Sequence, residues 1–410
     1  MTLLLSAAHA FCGTYVGGAD SDLYSRASTV AIVRQNGHTT LSMANDIEGD
    51  FTDFALVVPV PEVPAEGDIH VLAPELFDDL DRYSQPRLVR YDCDDFAPEE
   101  ADSDTDSDSD SDTDVDTGGV EVEAEYTVGE YDVVILSAQQ SGALVQWLND
   151  NGYSVPATSE ELLGEYLDSG SYFFAAKVDA DAGIQPGDVL SPLQVKYESP
   201  VFGLPIRLGT LNSRGVQDLI IYALNPYNEG VVGISNYPEV AVEDECLFTG
   251  DDETFEEFAA RQFDEAYRSV DGGMWALEYS WAANGCDPCS GTPPSEVDLV
   301  SLGFDPSGAR TQWGLQFSRL HMRYTPDEAD QDLSLYLSNR PAFEQLRYIE
   351  YAPELEDQWP LCDQGWVADP GTCDTESADD ERGCSTVPAA PAALALFLVA
   401  ACRRRDRSGT

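Results

Sequence analysis

The stretch ASTVAIVRQNGHTTLSMA, residues 27–44, decides the fold class. Two runs rich in β-branched and apolar residues flank Asn36-Gly37, a pair that takes left-handed backbone angles at low cost. The stretch therefore predicts strands at 27–35 and 38–44 joined by a two-residue type I′ turn. Working outward, residues 54–60 read as a buried strand ending in Pro59-Val60-Pro61. Further strands are predicted at 131–138, 172–178, 193–197, 204–208, 218–224 and 275–281. Residues 141–151 place Leu144, Val145, Trp147 and Leu148 on one helical face and stop at Gly152. Thr158 and Glu161 form a capping-box pattern opening a short helix that bears Leu162, Leu163, Tyr166 and Leu167. The longest helix is expected over 254–269, where Phe255, Phe258, Ala259, Phe263, Ala266 and Tyr267 form one stripe for the core.

Residues 313–324 change parity. Trp313, Leu315 and Phe317 alternate on odd numbers, then Leu320, Met322 and Tyr324 continue on even ones. One extra residue near Ser318-Arg319, a β-bulge, would keep both sets on one face and turn His321 to solvent. Strands and helices mix without a regular strand–helix–strand period. The expected class is α+β: mainly antiparallel sheet with a few short amphipathic helices, in a single large domain plus a C-terminal hydrophobic anchor.

Twenty-one Lys+Arg against seventy-six Asp+Glu leave a net charge of −55 over 410 residues. Such a surface repels phosphate backbones, so no nucleic acid is expected as a partner. Residues 94–116 carry twelve acids and no base, including the run DSDTDSDSDSDTDVD. Alternating Asp and Ser has nothing to bury, and residues 94–119 read as an extended, solvated insertion. Within it Asp112, Asp114 and Asp116, with Glu123 beyond, have EF-hand-like spacing. The position that needs Gly for the sharp turn is Thr117, however. Weak association with several calcium ions is the expectation there, with no tight metal site and no other cofactor. Asp327, Glu328, Asp330 and Asp332 read as a solvated acidic face.

Nine cysteines fit an oxidising compartment. Cys362 with Cys373 closes a short loop and is a candidate disulfide, as is Cys12 with Cys93; sequence alone does not fix the connectivity. Cys286-Asp-Pro-Cys289 lacks a prompt helix after it, because Pro293-Pro294 follows. It reads as a structural disulfide rather than a redox or metal motif. GxSxG, Walker and GxGxxG patterns are absent. Outside the first ten residues only His38, His70 and His321 occur, on separate segments. No catalytic residue is assigned.

The two ends point to export. Residues 1–10, with the apolar run 3–8 and Ala8-His9-Ala10, read as a signal peptide whose start is short. Residues 11–362 are the body and 363–383 a spacer. Residues 384–410 are a sorting and anchoring segment in which uncharged 387–402 precedes Arg403, Arg404 and Arg405. From Cys384 to Cys402 a helix would span roughly 28 Å, close to one bilayer core. The membrane is the expected partner of 387–402, together with export and tail-processing machinery. The location expected is the outer cell surface.

Two resemblances add to this. The order Cys384, apolar 394–401, Arg403–Arg405 resembles the MYXO-CTERM sorting signal of myxobacterial surface proteins. That likeness implies recognition and processing near Cys384, leaving the body on the cell surface. Phe11-Cys12-Gly13, residues 53–61, 129–137, 172–179 and 204–222, Cys286-Asp-Pro-Cys289 and residues 320–324 together resemble domain-of-unknown-function family 2330 of bacterial envelope proteins, from about Phe11 to Tyr348. This second likeness implies export and one continuous domain, with no established activity. The expected function is a non-catalytic structural or binding module anchored at the surface. Alternatives are a thiol–disulfide protein using Cys286 and Cys289, or a calcium-dependent adhesion module.

Overall fold

The computed structural model describes residues 14–16, 24–48, 55–91, 120–151, 155, 159–178, 190–213, 215–250, 253–282, 285, 291–305, 314–340 and 344–366. Its centre is two packed sheets. The smaller has the order β1 (Thr14–Val16), β4 (Ala55–Val60), β9 (Tyr172–Val178), β8 (Tyr131–Ala138) and β7 (Val120–Val128), antiparallel throughout. The larger has eight strands: β18 (Glu344–Gln345), β15 (Met274–Ala282), β16 (Leu315–Tyr324), β12 (Gln217–Pro226), β2 (Tyr24–Gln35), β3 (His38–Glu48), β10 (Leu193–Glu198) and β5 (Ile69–Val71). All its pairings are antiparallel except β12 with β2, which run parallel. The class is α+β with mostly antiparallel sheet, as the sequence predicts. The β2–β3 turn has φ of +54° at Asn36 and +83° at Gly37, the two left-handed residues a type I′ turn requires.

Strand periodicity explains the layering. On β4 and β9, Leu56, Val58, Phe174 and Ala176 face the larger sheet and meet Val30, Ile32, Leu219, Ile221, Leu320 and Met322 in the main core. The alternate residues Val57, Phe173 and Ala175 face outward, under α2 (Ser141–Asp150) and α3 (Ser159–Asp168), where Leu144, Leu148, Leu163 and Tyr166 cover them. The far face of the larger sheet presents Ala31, Val33, Tyr222, Leu224 and Phe317 to α1 (Glu75–Ser84), which contributes Leu76, Phe77, Leu80 and Tyr83. Beside it α4 (Phe255–Arg268) sets Phe263 and Ala266 on Met274 and Ala276. The layers are helices, sheet, sheet, helices. Burying each large apolar side chain contributes about 1.5–3 kcal/mol.

Smaller elements finish the body. Strands β11 (Gly203–Leu204), β17 (Leu333–Ser338) and β13 (Val231–Ile234) form one small sheet. Strands β14 (Leu247–Phe248), β19 (Arg347–Glu350) and β6 (Arg87–Val89) form another, entirely parallel. Helix α5 (Glu296–Ser301) carries a capping box between Ser295 and Asp298.

Three expectations change. The strand expected over 204–208 stops at Leu204, because Pro205 offers no N–H and the Asp332 carboxylate takes the N–H groups of Ile206 and Arg207, opening a 3-10 turn over Arg207–Asn212. The bulge lies in the neighbouring strand: β16 pairs with β12 without interruption, whereas β15 shifts register between Leu277 and Tyr279. Residues of β16 change parity because both of its faces are covered, Leu315 and Phe317 by the α1 layer and Leu320, Met322 and Tyr324 by the sandwich core. His321 is consequently turned away from solvent, stacked beneath Phe263.

Candidate functional site

Between α1 and α4, the outer face of the larger sheet changes from apolar to charged. Along β16 the residues following Leu315 and Phe317 on that face are Arg319, His321 and Arg323. Asp218 of β12 lies opposite Arg323, and the β15 bulge turns Glu278 onto the same face. A charge placed there must be paired, since an isolated buried ion costs far more than folding supplies. Every one is.

Arg323 grips Asp218 with two bonds, Nε to Oδ1 at 2.6 Å and Nη2 to Oδ2 at 2.8 Å. Arg319 donates from Nε to Glu278 at 2.5 Å and from Nη1 to Asp81 of α1 at 2.6 Å, while the Tyr222 hydroxyl also donates to Asp81 at 3.1 Å. His321 sits between the pairs, Nδ1 2.7 Å from Glu278 Oε1 and Nε2 3.0 Å from Asp218 Oδ1. Both ring nitrogens face carboxylate oxygens, so both carry hydrogen and the ring is an imidazolium. Three carboxylates (Asp81, Asp218, Glu278) thus meet three cations, and Asp264 of α4, 3.5 Å from Arg323 Nη1, adds a fourth at the margin.

The electrostatics follow. Burial opposes the imidazolium, but the Glu278 charge and the hydrogen bonds the ring donates to both carboxylates outweigh it and raise the His321 pKa. Burial likewise pushes both carboxyls upward. His321 and Arg319 reverse this at Glu278, bringing it down to about 2, and His321 with Arg323 hold Asp218 far below the ordinary range. The Phe263 ring lies 3.6 Å over the imidazole, tilted by 7°, and the Arg323 guanidinium stands 4.9 Å from the same ring. Chemically the set is closed. His321 has no lone pair to act as base, and the two carboxylates are already neutralised by arginines. It fastens α1 and α4 to the sheet.

A second place is open. A cleft of about 220 Å³ lies where β14, the start of α4 and the last described turn meet, with Phe248, Phe258 and Cys362 in its wall and Glu253 and Asp363 at its edge. Arg261 joins these two acids, with Nη2 2.7 Å from each, and Gln262 donates to Asp363 at 2.6 Å. Cys362 is bonded to Cys246, at a Cα separation of 4.9 Å.

That pairing corrects the candidate disulfide between Cys362 and Cys373. Leu247 N–H donates to Pro360 and Cys362 N–H to Leu247, a backbone register that sets Cys246 and Cys362 side by side although they are 116 residues apart. Cys12, Cys93, Cys286, Cys289, Cys373, Cys384, Arg403, Arg404 and Arg405 lie outside the described residues, as do Asp112, Asp114 and Asp116 and the segment 387–402. Glu123, on β7, accepts from the Ser137 hydroxyl at 2.6 Å. Of the acidic group near the end of β16, Asp327 and Asp330 are exposed. Glu328 instead binds the Tyr267 hydroxyl and Thr325 N–H, and Asp332 binds the Tyr166 hydroxyl.

Sequence reasoning missed the network. Its signal was present: arginine and histidine at alternate positions of a strand that is otherwise apolar. Among the described residues no helix is long and apolar enough to cross a membrane, and no group of His, Cys, Asp and Glu forms a metal site.

No curated protein and no solved structure matches the chain. A family model described as an uncharacterized protein conserved in bacteria, DUF2330, matches residues 6–335. It spans both main sheets except the edge strand β18, ends within β17 and includes every member of the charge network, and the chain belongs to that family.

Proposed function

We propose that this protein is exported and works at the cell surface as a non-catalytic scaffold or binding module. In this reading it is held through the tail that contains Cys384 and Arg403–Arg405. The observation that carries the reading is the Cys246–Cys362 disulfide, seated in the body with Cys246 wholly buried. Bonds of this kind persist in oxidising compartments and are rare where thiol reductants are maintained. The signal-like start and the Arg-capped apolar end add support at the level of sequence. The closed charge network also supports a scaffold, since its only histidine has no free nitrogen for catalysis.

The test is surface labelling of intact cells followed by intact-mass measurement of the recovered protein under non-reducing conditions. The reading expects labelled protein, loss of the first residues, a processed or lipidated tail near Cys384, and masses lowered by disulfide formation. Recovery of the unprocessed, fully reduced chain from the cytosol alone would refute it.

A further inference from the structure

We propose that the Cys246–Cys362 disulfide is a one-sided thiol-exchange site, attacked only at Cys362 through the adjoining cleft by small neutral or cationic thiols. The two sulfurs differ in access. Both pack in one cluster with Phe248, Phe258 and Tyr348, but Cys362 lines the cleft and keeps 7% of its surface exposed, whereas Cys246 does not line it and is 0% exposed. Exchange requires a thiolate to reach one sulfur in line with the bond that breaks. The cleft offers such an approach on the Cys362 side, and Cys246, with no exposed surface, offers none.

The cleft also selects the attacking group. About 220 Å³ is below the range of pockets that hold drug-sized molecules, so it suits thiols of a few heavy atoms. Its edge is acidic: Glu253 and Asp363 share one cation, Arg261, which is also paired with Glu265. The excess negative charge, on a chain already at −55, repels an anionic reagent and attracts an ammonium-bearing one.

The step balances as follows. The incoming thiolate RS⁻ bonds to Sγ of Cys362, the Cys246–Cys362 bond breaks, and Cys246 leaves as a thiolate that takes a proton from water. A second thiol then attacks the mixed disulfide, giving RSSR and the Cys362 thiol. The two thiols supply the two electrons that reduce the protein disulfide.

The experiment treats the oxidised full-length protein, at matched thiolate concentrations, with cysteamine, 2-mercaptoethanol or 2-mercaptoethanesulfonate. Aliquots are quenched in acid, alkylated in denaturant and mapped by peptide mass. The expected first product carries the adduct on Cys362 and the alkyl group on Cys246. At low salt cysteamine should react about fivefold faster than 2-mercaptoethanol, and 2-mercaptoethanol about fivefold faster than the sulfonate, each step being the factor for one charge near contact in water. The gap should close towards 1 M salt and narrow in Glu253→Gln. Adducts on Cys246, or rates that ignore thiol charge and follow global unfolding in urea, would overturn the proposal.

Discussion

Replacing His321 by leucine tests the charge network directly. The substitution keeps the volume under Phe263 and removes one of three cations, leaving Asp81, Asp218 and Glu278 facing only Arg319 and Arg323, the latter shared with the partly exposed Asp264. Breaking a buried ion pair by deleting one partner costs about 3–5 kcal/mol. Asp218 and Glu278 each retain an arginine, so the lower end, about 3 kcal/mol, is expected. His321→Gln restores a donor without the charge and should cost about 1–2 kcal/mol. Protonation gives the sharper signature. The His321 pKa is raised above its ordinary 6.5, so its stabilisation is fully present below pH 6.5 and is lost as pH rises through the folded value. Glu278 runs the other way: depressed from 4.5 to about 2, it contributes above pH 4.5 and is lost as pH falls towards 2. Urea unfolding followed by tryptophan fluorescence, from pH 4.5 to 9, gives the difference between wild type and variant. Taking that difference cancels the pH dependence of the whole acidic surface. It should be largest between pH 4.5 and 6.5 and shrink above. A difference below about 1 kcal/mol at pH 6, or one constant across the range, refutes a buried imidazolium.

Asp244 is pushed up to about 7, first by burial and then by Glu245 and Glu344, with Arg347 opposing. The folded state therefore holds its proton more tightly than the unfolded chain does, and stability is lost as pH rises through 7. Asp244→Asn should raise the unfolding free energy from urea curves at pH 8 by about 1–2 kcal/mol and leave it unchanged at pH 4. Replacing Cys246 and Cys362 together by alanine should lower stability by about 2–5 kcal/mol, read from the same curves. Raising salt from about 0.05 to 1 M should increase the melting temperature by several degrees, by screening the −55 charge; a flat or falling trend in calorimetry counts against self-repulsion.

What could be read from sequence was local. The β2–β3 hairpin, β8, β9 and α4 were legible because turn chemistry, period and capping all lie within a few residues of each other. Helix α1 was not predicted although Leu76, Phe77, Leu80 and Tyr83 have helical spacing. Glu278 and Asp218 were invisible for another reason: they meet His321 across separations of 43 and 103 residues, and one bulge decides which way Glu278 points. The partner of Cys362 was likewise set by the parallel strand register near β14, not by proximity in sequence.

The parallel pairing of β2 with β12 has a consequence for how the chain comes into being. Leu219 lies beside Ser28, so one flank of the early hairpin waits for residues made far later, and β16 must then arrive on the other side of β12. Such non-local closure is entropically slow. During synthesis the first two hundred residues remain without their central neighbour, a long window in which the nascent chain stays open to handling by whatever machinery meets it.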